Sequence, residues 1–144
     1  MDTIEDDYFG LLKWDTRFLE WEGYATLRSD EEVGINLPPE YIDSDEVRKH
    51  IQETMKVIER DELSFRQQAA NELFTEGGYG LFWDDDQEFD HGQFVNEMHL
   101  VSISFAPDFP KNPLTLELDY EYGEGVEHGI SIYLTWDGVY RDAR

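Results

Sequence analysis

The sequence predicts an α+β fold in which an antiparallel β-sheet is covered on one face by one long helix or two shorter helices. Apolar residues recur every three to four positions through residues 44–75, which is the period of an amphipathic helix. On either side of this block, apolar and polar residues alternate in short runs, which is the period of a half-buried strand. We therefore expect an N-terminal and a C-terminal strand meander, and a single domain over residues 1–144.

The N-terminal third of the chain is expected to be a three-stranded meander. Two β-like runs at residues 9–15 and 21–27 are separated by a short polar link, which predicts a hairpin with a slightly long loop. Residues 33–37 alternate between apolar side chains and glycine or asparagine, and they predict a third strand. This strand is expected to end at Pro38, because proline has no N–H to donate to a strand ladder.

The helical block carries a start signal and an apolar stripe. Asp43 is followed three residues later by Glu46, which resembles a capping box and places the helix start near Ser44. A polar step at residues 60–62 interrupts the stripe, and it favours two helices, or one kinked helix, with Asp61 as a second cap. The residues of the stripe, which are expected to face the core, are Val47, Ile51, Met55, Ile58, Phe65, Ala69 and Leu73.

The C-terminal meander follows a helical turn or two that we expect within residues 93–98. Residues 101–105, 114–120 and 130–136 alternate, and each predicts a strand with one buried face that begins at Val101, Leu114 or Ile130. Asp137-Gly138 predicts a tight turn before a short last strand at residues 139–141. Serine, threonine and tyrosine occupy the wetter faces, which favours a sheet with one open face. Whether the two meanders form one sheet or two is not determined by the sequence.

Charge is the strongest compositional signal. The chain has 34 acidic and 11 basic residues, and its net charge is −23. Nucleic acid and anionic membranes are therefore not expected partners. No apolar run approaches the roughly 20 residues that span a bilayer, and the acidic N-terminus differs from a signal peptide, so a cytoplasmic location is expected. The acidity fits two interpretations, a solvated surface that includes adaptation to a salty cytoplasm, or a surface that attracts a basic protein.

An acidic aromatic stretch after the helical block is the strongest candidate for a partner contact. Interface energy concentrates in a few aromatic anchors, while the surrounding charges set the association rate and the choice of partner. Trp83 is the expected anchor, and a second acidic group near residue 122 extends the surface. The predicted partner-binding residues are Trp83, Asp84, Asp85, Asp86, Glu88, Asp90, Glu121, Tyr122 and Glu124.

The sequence carries no signal for a metal site, a cofactor or a catalytic residue. If Asp84 opened a calcium loop, Phe89 would stand where glycine is needed and Val95 where a bidentate glutamate belongs. The four histidines lack metal-binding spacing, and the serines of the strands lack a nucleophile elbow. We therefore expect a protein that is not an enzyme, and a carboxylate-bound metal enzyme is the alternative from a different class.

One N-terminal motif resembles a known family. The motif reads Phe9-Gly10-x-Leu12-x-Trp14-Asp15 followed by Trp21-x-Gly23. It resembles the N-terminal motif of an uncharacterised family of small acidic bacterial proteins, which is a domain of unknown function. The resemblance implies a bacterial, cytoplasmic α+β protein of the kind that confers immunity beside polymorphic toxins. It implies no catalytic residues.

The leading functional hypothesis is accordingly an immunity or antitoxin-like inhibitor. Its acidic surface would neutralise a basic toxin, such as a nuclease. The alternative within the same class is a DNA mimic that blocks a nucleic-acid-binding defence protein. The oligomeric state is left open by the sequence.

Overall fold

The computed structural model describes residues 2–27, 32–75, 91–105, 115–122 and 129–144. These residues form a sheet with helices on one face, which confirms the predicted α+β fold. The helices are α1 (Glu40–Asp43), α2 (Asp45–Thr75) and α3 (His91–Asn96). The strands are β1 (Thr3–Asp6), β2 (Gly10–Asp15), β3 (Glu20–Thr26), β4 (Glu32–Leu37), β5 (Met98–Ser104), β6 (Thr115–Tyr122), β7 (Ile130–Thr135) and β8 (Tyr140–Ala143).

The two meanders join in one sheet whose strands follow chain order from β1 to β8. Neighbouring strands are antiparallel except at the centre, where β4 and β5 are parallel and Ile35 lies opposite Ile103. The helices lie between these two strands in the chain. A crossover connection of this length returns the chain in its original direction, which a tight turn cannot do. The question of one sheet or two is thereby answered.

The N-terminal meander has four strands, so the prediction of three was wrong. The additional strand is β1, which pairs with β2 so that Ile4 lies opposite Leu12. Its sequence Thr-Ile-Glu-Asp contains a single apolar residue, which is too little alternation to indicate a strand.

Helix α2 is one continuous helix, which confirms the alternative of one long helix, and the favoured second helix beginning at Asp61 was wrong. The polar step is accommodated within the helix, because Glu62 and Arg66 form an ion pair one turn apart at 3.0 Å. The N-terminal cap of the helix lies one residue later than predicted. The hydroxyl of Ser44, rather than the carboxylate of Asp43, accepts a hydrogen bond from Val47 N at 3.2 Å, and Asp43 ends α1.

The core lies between α2 and the face of the sheet that we call the inner face. The sheet side chains alternate, so that every second residue of a strand enters this core. Helix α2 contributes most of the predicted stripe, whereas Val47 is only partly buried. Fully buried members from the helix and the sheet include Ile51, Ile58, Ala69, Leu12, Ile35, Ile103, Leu118 and Ile132.

Strand β5 contains a bulge that reverses one prediction. Val101 was expected on the buried face, but its side chain is 43% exposed. The pairing with β6 shifts between Leu100 and Ser102, which leaves Val101 as an extra residue without a directly opposed partner. The predicted turn at Asp137-Gly138 is confirmed, since Gly138 has a φ of +83° and donates a hydrogen bond to Thr135 O at 2.9 Å.

Candidate functional site on the outer face of the sheet

Most of the predicted partner-binding residues lie outside the described residues. This applies to Trp83, Asp84, Asp85, Asp86, Glu88, Asp90 and Glu124, and to the side chain of Tyr122. Glu121 is placed by the structure. It is exposed on β6, directly opposite His99 of β5.

The face of the sheet opposite the described helices, which we call the outer face, carries a polar side chain on every strand from one edge to the other. Successive register pairs connect one residue from each strand into a single line across the sheet, which we call the polar row. All eight side chains in this line carry a polar group. From β1 to β8, the polar row consists of Thr3, Lys13, Glu22, Asn36, Ser104, Glu117, Tyr133 and Asp142.

A carboxyl pair, Glu117 and Asp119, marks the C-terminal half of the outer face. Asp119 accepts hydrogen bonds from the hydroxyls of Ser131 at 2.9 Å and Ser102 at 3.2 Å. Partial burial, and then the charge of Asp119, raises the pKa of Glu117 above its ordinary value. Tyr133 is hydrogen-bonded to Glu117, and burial together with this carboxylate raises the pKa of Tyr133 to about 12. The surrounding hydroxyls thus hold two like charges side by side.

A second carboxyl pair, Asp15 and Glu22, lies in the N-terminal half. Their shared hydrogen bond is the main cause that raises the pKa of Glu22 and lowers that of Asp15, so the proton resides on Glu22. The backbone N–H of Arg17 also donates to Asp15 Oδ1 at 2.8 Å.

Between the two pairs, the outer face sinks into a depression of about 430 Å³ where the two meanders meet. We call it the central depression. Gly34 of β4 forms its floor, since it has no side chain. Tyr24, which is 64% exposed, and Leu11, which is 47% exposed, supply apolar surface. The remaining lining groups that project from this face are Lys13, Glu22, Asn36 and Ser102.

A second cavity, of about 440 Å³, lies on the helical side between α2 and the strands β4 and β5. Two of its polar lining residues, Glu62 and Arg66, are bound within the protein. The Tyr120 hydroxyl donates to Glu62 Oε1 at 3.1 Å, and Arg66 pairs with Glu62 and donates to Val95 O at 3.0 Å. This network ties the helix to the sheet, so it explains these residues without a ligand.

The described part of the chain contains no group of three or more histidine and carboxylate side chains arranged to hold a metal ion. The carboxylates of residues 84–90 are not among the described residues. Among the helices that the structure describes, none is both long and apolar enough to cross a membrane.

The chain matches no family model, no curated protein and no solved structure. The resemblance of its N-terminal motif to the acidic bacterial family therefore stays an expectation. Function has to be argued from the outer face itself.

Apart from Glu121, the sequence did not single out the residues that shape this face. Glu117 and Asp119 alternate with buried leucines in β6, so their position on a wet face was available from the period of the strand. Gly34 was predicted only as one of the small or polar residues that alternate with apolar ones in this strand. A glycine inside a strand is itself a signal for a close approach of a ligand or another backbone.

Proposed function

We propose that this protein is a non-enzymatic inhibitor that binds a basic protein in the manner of an immunity protein or antitoxin. The observation that carries the proposal is the outer face, which is polar across all eight strands of a sheet in a chain with net charge −23. The acidic residues of this face include Glu5, Asp15, Glu22, Glu117, Asp119, Glu121 and Asp142, and the basic ones include Lys13 and Arg144.

The shape of the surface supports binding over catalysis. Enzyme sites place their reactive groups in clefts that exclude water. Here the carboxylates spread over a broad face, and those of Asp119 accept hydrogen bonds from neighbouring serines. A sheet also presents its side chains on a rigid backbone, which lowers the entropic cost of association.

The charge indicates the chemistry of the partner. A strong negative field accelerates association with basic surfaces and opposes acidic ones. Toxins that act on nucleic acid need basic surfaces to contact phosphates, so a nuclease is a suitable target for such a field. A cytoplasmic location belongs to this proposal. The acidic stretch of residues 83–90 is proposed as a second contact with the same partner.

Capture followed by inhibition tests the proposal. The immobilised protein is exposed to a lysate of the organism that encodes it, and the bound protein is identified, purified and assayed with stoichiometric inhibitor. We expect a basic protein whose activity is lost at a one-to-one ratio. A captured protein that is not basic, or whose activity is unaffected, would refute the proposal.

Charge-matched variants locate the contact. The outer-face triple variant combines Glu117→Gln, Asp119→Asn and Glu121→Gln. The control combines Glu40→Gln, Glu46→Gln and Glu53→Gln, which are exposed positions of α1 and α2 with the same change in charge. We expect the outer-face variant to weaken binding by about tenfold and the control by about threefold or less. Equal weakening would show that only the net charge matters.

A further inference from the structure

Neither the backbone conformation nor the packing around Gly34 requires a glycine at this position. Its φ is not positive, so the backbone does not demand glycine. A Cβ atom added there would lie 3.6 Å from Ser102 Cβ and 3.7 Å from Val101 O, which are ordinary contact distances. Glycine inside a strand costs about 0.5–1 kcal/mol relative to alanine. The sequence therefore accepts a loss of stability at the centre of its sheet.

The other strand glycine of this region shows the contrast. A Cβ atom at Gly23 would point to the inner face and lie 2.6 Å from Leu12 Cδ2, so close packing explains that glycine. At Gly34, a side chain would make ordinary contacts with its neighbours and would occupy part of the central depression. A strand glycine with free space above it is typical of a place where a ligand approaches the backbone closely.

The walls of the central depression define the chemistry of that ligand. Leu11 and the ring of Tyr24 provide exposed apolar surface for the stem of a long side chain. Glu22 on the wall is hydrogen-bonded to Asp15, which raises the pKa of Glu22, and the guanidinium of Arg17 lies 3.8 Å from Asp15, outside the lining of the depression. A cation that approached the pair would stabilise its doubly ionised form. A planar guanidinium satisfies both requirements, because it stacks on an aromatic ring and donates in a fork to carboxylates.

We propose that the central depression is a binding site for an arginine side chain presented by the basic partner. The proposal rests on the proposed function and specifies one contact within it. The charge of the outer face complements the arginine, and the polar side chains of Asn36, which pairs with Glu22 across the strands, and of Ser102, which pairs with Gly34, also line the depression. Lys13 also lines the depression, and its positive charge repels a cation. A variant that removes this charge should therefore bind the arginine side chain more tightly.

The test uses N-acetyl-L-arginine amide as the probe and amide chemical shifts of the whole protein as the measurement. We expect saturable shifts that share one dissociation constant at Tyr24, Gly34, Asn36 and Ser102. N-acetyl-L-lysine amide is expected to bind about fivefold more weakly, because it cannot stack or donate in a fork. Shifts that never saturate, or that spread over all acidic strands equally for both probes, would overturn the proposal.

Variants test whether the arginine probe binds in the central depression or is attracted only by the net charge of the protein. Gly34→Val fills the floor of the depression, and it is expected to lower the affinity for the arginine probe at least about tenfold. If this variant folds poorly, Gly34→Ala replaces it, with an expected loss of about threefold. Thr3→Val replaces a hydroxyl with a methyl at the exposed end of the polar row, away from the depression, and it is expected to leave the affinity unchanged. Lys13→Gln is expected to tighten binding about threefold, and a weakening would contradict the proposal.

The outcomes distinguish this site from the proposed function. Absence of a saturable arginine site, with a basic partner captured and inhibited as above, overturns the arginine site alone. A saturable site that Gly34→Val removes, in a protein that inhibits no basic partner, supports the site and refutes the proposed function.

Discussion

Glu72 of α2 accepts a hydrogen bond from the backbone N–H of Ala143 at 2.6 Å, and this contact ties the long helix to the last strand. The same carboxylate oxygen accepts a hydrogen bond from the Tyr140 hydroxyl at 2.8 Å. Strand β8 is an edge of the sheet, and the outward N–H groups of an edge strand are free to pair with another chain. Glu72 thus accepts a hydrogen bond from an edge N–H group that would otherwise be free to pair with a strand of another chain.

The first prediction concerns this tether. Glu72→Ala removes the charged acceptor of two hydrogen bonds, and we expect it to lower the free energy of unfolding by about 1.5–3 kcal/mol. Urea denaturation measures the loss. Hydrogen exchange should also accelerate at the Ala143 amide, because its acceptor has gone. The control is Glu53→Ala, an exposed position of the same helix, with an expected change within about 0.5 kcal/mol. Unchanged exchange at Ala143 would contradict the role of Glu72.

The sequence predicted the elements whose period is strong and missed those whose outcome depends on distant contacts. Strands β4, β5, β6 and β7 follow from alternation over five to seven residues. Strand β1 has four residues and forms because β2 offers it an edge. The helix continues through Asp61 because Glu62 is held by Arg66 and by Tyr120, which lies 58 residues away. No local pattern contains that contact.

The candidate site shows a similar division. The wet face of β6 could be predicted, because Glu117 and Asp119 alternate with leucines. The polar row could not, since it requires the register of seven strand pairs and the parallel junction of β4 with β5. The central depression depends on the same junction, which places Gly34 opposite Ser102. Composition therefore indicated an acidic surface, whereas topology determines its shape.

The second prediction concerns the turn before β8. Gly138 has a positive φ, and an added Cβ would lie 2.7 Å from Val57 Cγ1. We expect Gly138→Ala to lower the free energy of unfolding by about 1–3 kcal/mol through strain in the backbone and this clash. The double variant with Val57→Ala relieves the clash. Its loss of stability should be smaller than the sum of the single losses by about 0.5 kcal/mol or more. Additive losses in the double-mutant cycle would rule out the contact as a cause.

The third prediction concerns pH. The pKa of Glu117 is raised in the folded protein, so its contribution to stability is complete below its unfolded value of 4.5 and is lost as pH rises through the folded value. The contribution of Glu117 to the melting temperature should therefore grow as pH falls from 7 towards 4.5. Glu117→Gln keeps an acceptor for Tyr133 but cannot ionise, and we expect it to remove this contribution from the slope of melting temperature against pH.

The control for the pH experiment is Asp61→Asn. The hydrogen bond from Arg60 lowers the pKa of Asp61, so its contribution to stability is lost only as pH falls below its ordinary value of 3.8. This substitution is expected to leave the slope between pH 7 and 5 unchanged. Equal slopes for the natural protein and Glu117→Gln would show that Glu117 does not titrate in this range.

The last prediction separates the acidic aromatic stretch from the outer face by kinetics with the same partner. Charges around an interface mainly steer encounter, whereas a buried aromatic anchor holds the complex together. Replacing Asp84, Asp85 and Asp86 with asparagine should slow association by about tenfold at low salt and flatten its salt dependence. Trp83→Ala should instead raise the dissociation rate, with circular dichroism and a melting curve as the folding control.

The matched comparison is the outer-face triple variant, which removes the same number of charges. If both surfaces contact the partner, the two triple variants each slow association, and their combination slows it further. If the changes at residues 84–86 leave the association rate and its salt dependence untouched, the acidic stretch is not part of the interface. Binding would then use the outer face, and the kinetic effect of Glu117→Gln, Asp119→Asn and Glu121→Gln should account for the whole electrostatic component.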